Sequence, residues 1–468
     1  VDATRSLDVL REHGGPALVE RLLHLDRVRT TRAFDTPLRG PERGTRLDAD
    51  VAFLGGGLSL LIAAELARLG VRVVVLERAR AGDAHREWNA SFEELSPLWQ
   101  SGILSREELS EFVIAKYTHG VCTFHGSPPR EVRGVLDHAV DASTLLARVR
   151  SVAEARGVRF CDAASVHGLG ASEESVRVAW THADGRDELT ARIAVDARGA
   201  ASPYASADLV CPTVGGVMRG LIFDKNVGDI LVTTEGATNG RQHVWEGFPG
   251  RDGEITVYLF YYALANRSSA RSSSGTLVEL YARYFQTIAS YKSGTPTMVR
   301  PTFGYIPGWS RLSRAPTGPS PRVVLVGDAA ARHSPLTFCG FGSMLRRFRP
   351  IAASLATAIE RGRAPTEPLA HEEDIHAWTG LLARLMATGA LQGNSMNALL
   401  GDAFATLSEM GNAHYADLLK DRMSGRDFIA FLRTTSKRHP AVYEEVLRSL
   451  GPLHAGRWGL RLLKGALA

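Results

Sequence analysis

Cysteine is scarce in this chain of 468 residues: Cys122, Cys161, Cys211 and Cys339 are widely spaced and form no CxxC pair. That leaves no basis for a disulfide framework, a thiolate metal site or a redox-active dithiol, so no metal is expected and a reducing cytoplasm is the expected compartment. Long apolar runs are also missing: none reaches the length needed to cross a bilayer, and no signal peptide is recognisable. No internal repeat or low-complexity domain stands out. Net charge is low, +5, and comes from scattered arginines. Nucleic acid is therefore not an expected partner, and an anionic membrane surface suits this charge better. Nothing in the sequence points to a particular oligomeric state.

What the chain does have is ordinary globular composition, 44% hydrophobic and 22% charged, with length for two or three domains. Three segments carry the chemistry. The first runs from Asp48 to Glu77: an apolar strand, Gly55-Gly56-Gly57, an amphipathic helix, Gly70 as its stop, and a second strand closing on an acid. This is the pattern of a dinucleotide-binding βαβ unit. Gly55 is expected to make the tight turn and Gly57 to admit a pyrophosphate, with Leu58 and Ser59 at the helix start. Glu77 and Arg78 would lie beside the adenosine ribose. One departure is Leu60 at the third glycine position, where closer helix packing would be usual.

The second segment, Ile193 to Gly199, is a strand ending in Asp196 before Gly199. The third, Val323 to Ala330, ends in Gly327-Asp328 and continues through Ser334-Pro335-Leu336-Thr337-Phe338-Cys339-Gly340-Phe341-Gly342-Ser343. Asp328 can accept hydrogen bonds from sugar or ribityl hydroxyls. Gly340 and Gly342 permit close backbone approach, and a helix from Ser343 onward would point its positive end at the ligand. Cys339 in this loop is either a thiol near the ligand or a small buried side chain.

Three such elements in this order resemble the glutathione-reductase-type FAD fold, in its single-dinucleotide branch. The resemblance implies an α/β protein with a Rossmann-like FAD-binding domain in three pieces, residues 47–90, 130–205 and 318–365. An antiparallel β-sheet substrate domain would take residues 91–129 and 206–317, with an N-terminal helical extension over 1–46 and a C-terminal helical region over 366–468. In the middle piece Asp141 should cap a helix through Leu145, Leu146 and Val149.

The loop Ser334 to Arg346 further resembles the flavin-facing loop of bacterial lycopene cyclases of the CruA/CruP type. Glu87-Trp88-Asn89 with Ser91, Phe303-Gly304-Tyr305-Ile306-Pro307 and the helical tail Asn397 to Leu432 agree with it. The resemblance implies FAD, with the reduced form active and NAD(P)H as an external reductant. It also implies a hydrophobic small-molecule substrate: the acyclic end of a carotenoid, closed into a ring without net redox change. Trp88 and Asn89 would border the flavin ring, together with Pro335 and Phe341.

Plant-type relatives carry an acidic Phe-Leu-Glu-Glu-Thr motif where this chain has Tyr258-Leu259-Phe260-Tyr261-Tyr262. The acid must then come from elsewhere. Glu246, in Val244-Trp245-Glu246-Gly247-Phe248, is the candidate; the alternative is an exposed strand residue. Tyr261 and Tyr262 either line the cavity, where their ring faces could stabilise a cation, or pack in the sheet. His333 is either a proton shuttle or a surface histidine. The basic, amphipathic tail Gly456 to Ala468 either lies in a membrane interface or docks on its own domain.

A second function stays open: an FAD-dependent monooxygenase or other oxidoreductase acting on a polyene, polyketide or aromatic molecule, since fold does not fix chemistry. A non-enzymatic flavoprotein is a third. Ile306-Pro307-Gly308-Trp309 shares only its Ile-Pro and one Trp with the Trp-x-Trp-x-Ile-Pro element of flavin halogenases.

Overall fold

The structure, a computed structural model, describes residues 2–28, 35–84, 87–205, 207–265, 275–310, 317–331, 336–337, 340–365 and 377–467. His333, Pro335 and Cys339 lie outside the described residues.

Val51, Ala52, Phe53 and Leu54, like Val73 to Leu76, are buried on both faces, as expected for strands inside a sheet covered on two sides. Together with Arg159–Cys161, the end of Gly185–Asp196 and Val323–Leu325 they run parallel. The first half of Gly185–Asp196 instead pairs antiparallel with Val176–His182, which pairs with Ser165–Ala171. Thr36–Pro37 adds a parallel edge to Ser165–Ala171. Helices Leu60–Arg68, Ala142–Ala155 and Gly340–Glu360 cover one face. Asp141 caps the second of these, accepting from the N–H groups of Ser143 and Thr144 at 3.1 Å each. Leu60 is fully buried in this layer and fills the space a glycine would leave.

The second sheet is built on the long strand Leu209–Leu221, which pairs antiparallel with Gly294–Gly308 on one side and Ile255–Phe260 on the other. The order continues through Val244–Pro249 to Val227–Val232, which then pairs parallel with His119–Thr123. Side chains alternate between its faces. Trp245, Val257 and Leu259 pack under helix Leu277–Tyr291, and Phe248 and Phe260 face the other way. The helix is anchored by Tyr281, whose hydroxyl donates to the carbonyls of Gly215 at 3.0 Å and Thr302 at 2.8 Å.

The N-terminal segment is more than an appendage. Helix Ala3–Val28, broken at Gly15 and Pro16, packs along Leu277–Tyr291 and Gly294–Gly308. Its buried Asp26 accepts from the Leu277 N–H at 2.8 Å and the Tyr305 hydroxyl at 2.6 Å, so it caps a helix 251 residues away. Residues 377–467 are predominantly helical, and their apolar faces pack with the far side of the second sheet in one core.

Candidate functional site

Parallel strands deliver their side chains and loops to one edge. The carboxyl ends of Ala49–Leu54, Val73–Leu76, Gly185–Asp196 and Val323–Leu325 therefore open into one cavity of about 1220 Å³, which extends to the second sheet. A single-ligand pocket is commonly about 300–1,000 Å³, so this one has room for a cofactor and a substrate together.

At the first strand end, Gly55 has φ of +108°, and a Cβ there would stand 2.6 Å from the Ala197 carbonyl oxygen. Only glycine makes that turn without strain. A Cβ on Gly57 would meet nothing within 4 Å, which leaves its backbone facing open cavity. The turn is held by Glu77, whose Oε2 accepts from the Gly56 N–H at 2.8 Å and Oε1 from the Ala79 N–H at 3.0 Å. Ser59 donates from Oγ to the Gly55 carbonyl at 3.1 Å. Gly57, Leu58, Ser59, Glu77 and Arg78 all line the cavity. Such a cradle, with a helix N-terminus behind it, suits a diphosphate.

At the third strand end, Gly327 has φ of +58° and Asp328, half-buried in a short 3-10 turn, lines the cavity. Helix Gly340–Glu360 begins at Gly340, three residues before the expected start, and presents Gly340, Phe341, Ser343 and Arg347. Phe341 stacks on Trp88 with centroids 4.9 Å apart, and Asn89 donates from Nδ2 to the Leu136 carbonyl at 3.2 Å. Trp88 and Asn89 both line the cavity.

Four expected residues take other places. Asp196 is fully buried and does not reach the cavity. Its carboxylate accepts from Arg198 (Nε 3.1 Å, Nη2 2.8 Å) and from the Ser202 hydroxyl at 2.7 Å. Arg198 is in turn clamped by Asp35 at 2.8 and 2.9 Å, and it is Arg198 and Gly199 that line the cavity. Burial works against the Arg198 charge, but the two carboxylates hold its pKa above the ordinary value. Gly342 points away from the cavity: a Cβ there would meet Glu94 Oε1 at 2.6 Å, so this glycine makes room for the Glu94–Arg346 ion pair. Tyr261 and Tyr262 are each 1% exposed and line no part of the large cavity. The Tyr261 oxygen accepts from the Gly275 N–H at 2.7 Å, and Tyr262 donates to the Leu336 carbonyl. Strand Ile255–Phe260 ends before them, so the alternation that would have aimed one of them inward does not extend that far.

The residues of the second sheet that line the cavity include Glu246, Phe248, Tyr258, Phe260, Cys211 and Thr213, from three adjacent strands, and Thr302, Tyr305 and Ile306 from the neighbouring strand Gly294–Gly308. Glu246 lies opposite Tyr258 in the register. No donor among the described residues reaches its carboxyl group, and burial alone raises its pKa from 4.5 to about 8. A carboxylic acid held neutral near pH 7 is a proton donor. A second acid, Glu87, also lines the cavity. Burial raises its pKa, against the pull of Arg300, with which it pairs. Sequence reasoning singled out neither Glu87 as an acid nor Tyr258, Phe260 and Arg198. The period-two pattern of Ile255–Phe260 was the available signal for the two aromatics.

The matched family appears at this point in the chain's first half. Residues 50–226 match the lycopene cyclase protein family. The match takes in the glycine turn, Glu77, Trp88 and Arg198 and stops before Glu246. No curated protein sequence matches the chain. Among solved structures, it is similar to the halogenase PltM in complex with phloroglucinol and FAD, at 13% identity over 90% of this chain and 96% of that one, with a TM-score of 0.59. A geranylgeranyl bacteriochlorophyll reductase-like protein from Thermoplasma acidophilum is 14% identical over 86% of this chain and 99% of that one, with a TM-score of 0.56. A flavoprotein/dehydrogenase from Cytophaga hutchinsonii gives 13%, 88%, 99% and 0.58. At these identities the likeness is one of fold: a mixed α/β architecture shared with flavoproteins.

Proposed function

We propose that the chain is an FAD-dependent cyclase of the glutathione-reductase-type fold that closes the acyclic end of a carotenoid into a ring by acid-initiated, non-redox chemistry. The observation that carries this reading is Glu246: an unpartnered carboxylic acid with pKa about 8, among aromatic rings, at the end of the cavity remote from the glycine cradle. The family match and the flavoprotein fold support the cofactor, and the cradle fits it. Gly55 to Ser59 would take the diphosphate, Glu77 the ribose hydroxyls and Asp328 the ribityl chain. Arg198 and Gly199 would border it from the middle strand.

FAD, when bound in its reduced form, would supply an electron-rich ring face near a developing carbocation. The chain's own residues do the rest. Glu246 gives its proton to a terminal alkene carbon, and the neighbouring internal double bond attacks the resulting cation, forming the ring bond. The ring faces of Phe248, Tyr258 and Phe260 stabilise the positive charge in a water-poor space. Loss of a proton from the adjacent carbon to the Glu246 carboxylate restores the acid, so protons and electrons balance without an oxidant. NAD(P)H enters only to keep the cofactor reduced.

The test is anaerobic incubation of the reduced protein with lycopene, followed by chromatography. Cyclic product from the wild type and none from Glu246→Gln, with unchanged flavin content, supports the reading. Unchanged lycopene, together with NAD(P)H and oxygen consumption on a polyketide or aromatic substrate, replaces it with the monooxygenase reading.

A further inference from the structure

Nine large apolar side chains stand exposed among the described residues, and five of them, Tyr443, Leu447, Leu453, Leu460 and Leu463, fall on the last two helices, Val442–Leu450 and Pro452–Leu467. Their exposures, 49% to 64%, are well beyond those of the same helices' inner residues. Trp458 and Leu462 are 8% and 6% exposed, and Trp458 sits edge-on to Phe428 at 6.1 Å. The tail is therefore docked on its own domain by one face while a second apolar face points to solvent. The inner face thus takes the docked alternative read from the sequence.

The outer face has a definite chemistry. Leu453 and Leu460 are seven residues apart and share one stripe; Arg457 and Lys464, also seven apart, lie on the stripe beside it. Arg457, Arg461 and Lys464 are exposed, and none has an ion-pair partner among the described residues. Helix Pro452–Leu467 contains no Asp or Glu. No described helix is long and apolar enough to cross a membrane. Exposed leucines flanked by unpaired cations form a surface complementary to an anionic headgroup layer over acyl chains. Another protein surface would need acids placed to match these cations, whereas a phospholipid bilayer supplies both the charge and the apolar layer.

We propose that the outer face of Val442–Leu450 and Pro452–Leu467 docks this protein, in plane, on a bilayer containing anionic phospholipid. The proposal rests on this surface and not on the cavity, so it stands or falls apart from the cyclase reading. It is tested by sedimenting the full chain with vesicles of phosphatidylcholine alone and of phosphatidylcholine with about one-third phosphatidylglycerol. Binding is expected on the anionic vesicles and should weaken at high salt. The combined change Arg457→Gln, Arg461→Gln and Lys464→Gln should lower partitioning by about fivefold per cation removed. Leu453→Gln with Leu460→Gln should lower it by about tenfold, with an unchanged melting curve because both side chains are already in water. Failure of the wild type to bind either vesicle, or equal binding by wild type and both variants, overturns the proposal. So does a dimer, seen by light scattering without vesicles, that the leucine variant splits: the face would then belong to a second copy.

Discussion

Glu77 and Glu246 line opposite ends of one cavity, and they are treated in opposite ways. Glu77 accepts from two backbone N–H groups at 2.8 and 3.0 Å, which fix the glycine turn. Glu246 has no donor among the described residues and carries its proton up to about pH 8. The parallel-sheet end satisfies its polar groups with its own backbone and keeps its shape, as an anion cradle must. The antiparallel-sheet end leaves one acid unsatisfied among aromatic rings, which costs stability and stores reactivity. Binding and chemistry are thus divided between the two sheets.

The largest expected effect breaks the reactive end. Glu246→Gln should lower turnover on a carotenoid by about 10²- to 10⁴-fold, the usual worth of a positioned general acid, with flavin absorbance unchanged. The same residue sets a pH signature. In the wild type, turnover should fall as pH rises through about 8, because the donor form is lost. Its folded pKa lies above the ordinary 4.5, so its contribution to stability is full below that value and is lost as pH rises through about 8. Unfolding titrations at pH 5 and pH 9 should differ by roughly 4 kcal/mol more in the wild type than in Glu246→Gln. Equal slopes would show that Glu246 is hydrated and is not the acid.

The next effect separates structure from binding at the parallel-sheet end. Asp196→Ala leaves Arg198 buried with half its partners gone and should cost about 3–5 kcal/mol by denaturant titration. Asp328→Ala should instead reduce bound FAD while changing the stability of the cofactor-free protein by less than about 1 kcal/mol. The reverse pattern would return Asp196 to the cofactor. Smaller still is Gly55→Ala. A side chain at φ of +108° against the Ala197 carbonyl should cost about 2–3 kcal/mol and release FAD.

The two ends also differ in how far they could be read before the fold was known. The cradle is written in a contiguous stretch: glycines at a strand end, then an acid one strand later, each placed by a local backbone demand. The reactive end is assembled from Thr213, Glu246, Tyr258 and Phe260, which meet only through strand register. Glu246 was visible as a lone acid among aromatics. Tyr261 and Tyr262 were open either to line the cavity or to pack in the sheet until the strand's end at Phe260 set their direction. Asp196 looked like a cofactor ligand because a strand-to-turn pattern does not show that its carboxylate is taken by Ser202 and by Arg198, which Asp35, 163 residues from it in sequence, holds in place. Gly342 looked like a point of close backbone approach to the ligand because Glu94 lies far upstream. The Asp35–Arg198 and Glu94–Gly342 placements are long-range and leave no local signature, whereas the tyrosines' direction follows from where their strand ends.

The smallest effect tests whether the antiparallel end depends on the N-terminal helix as the contacts require. Asp26 reaches the Leu277 N–H and the Tyr305 hydroxyl, and Tyr305 itself lines the cavity. Asp26→Ala should cost about 1–2 kcal/mol, the worth of an N-cap with an added buried hydrogen bond. Asp26→Asn, which keeps one acceptor for the helix N-terminus, should recover part of that loss. If the helix only covered the sheet, the two variants would melt together. A graded loss, with Asn between Ala and wild type, would place residues 2–28 among the elements that hold the cavity wall, although the sequence there reads only as an N-terminal helical extension.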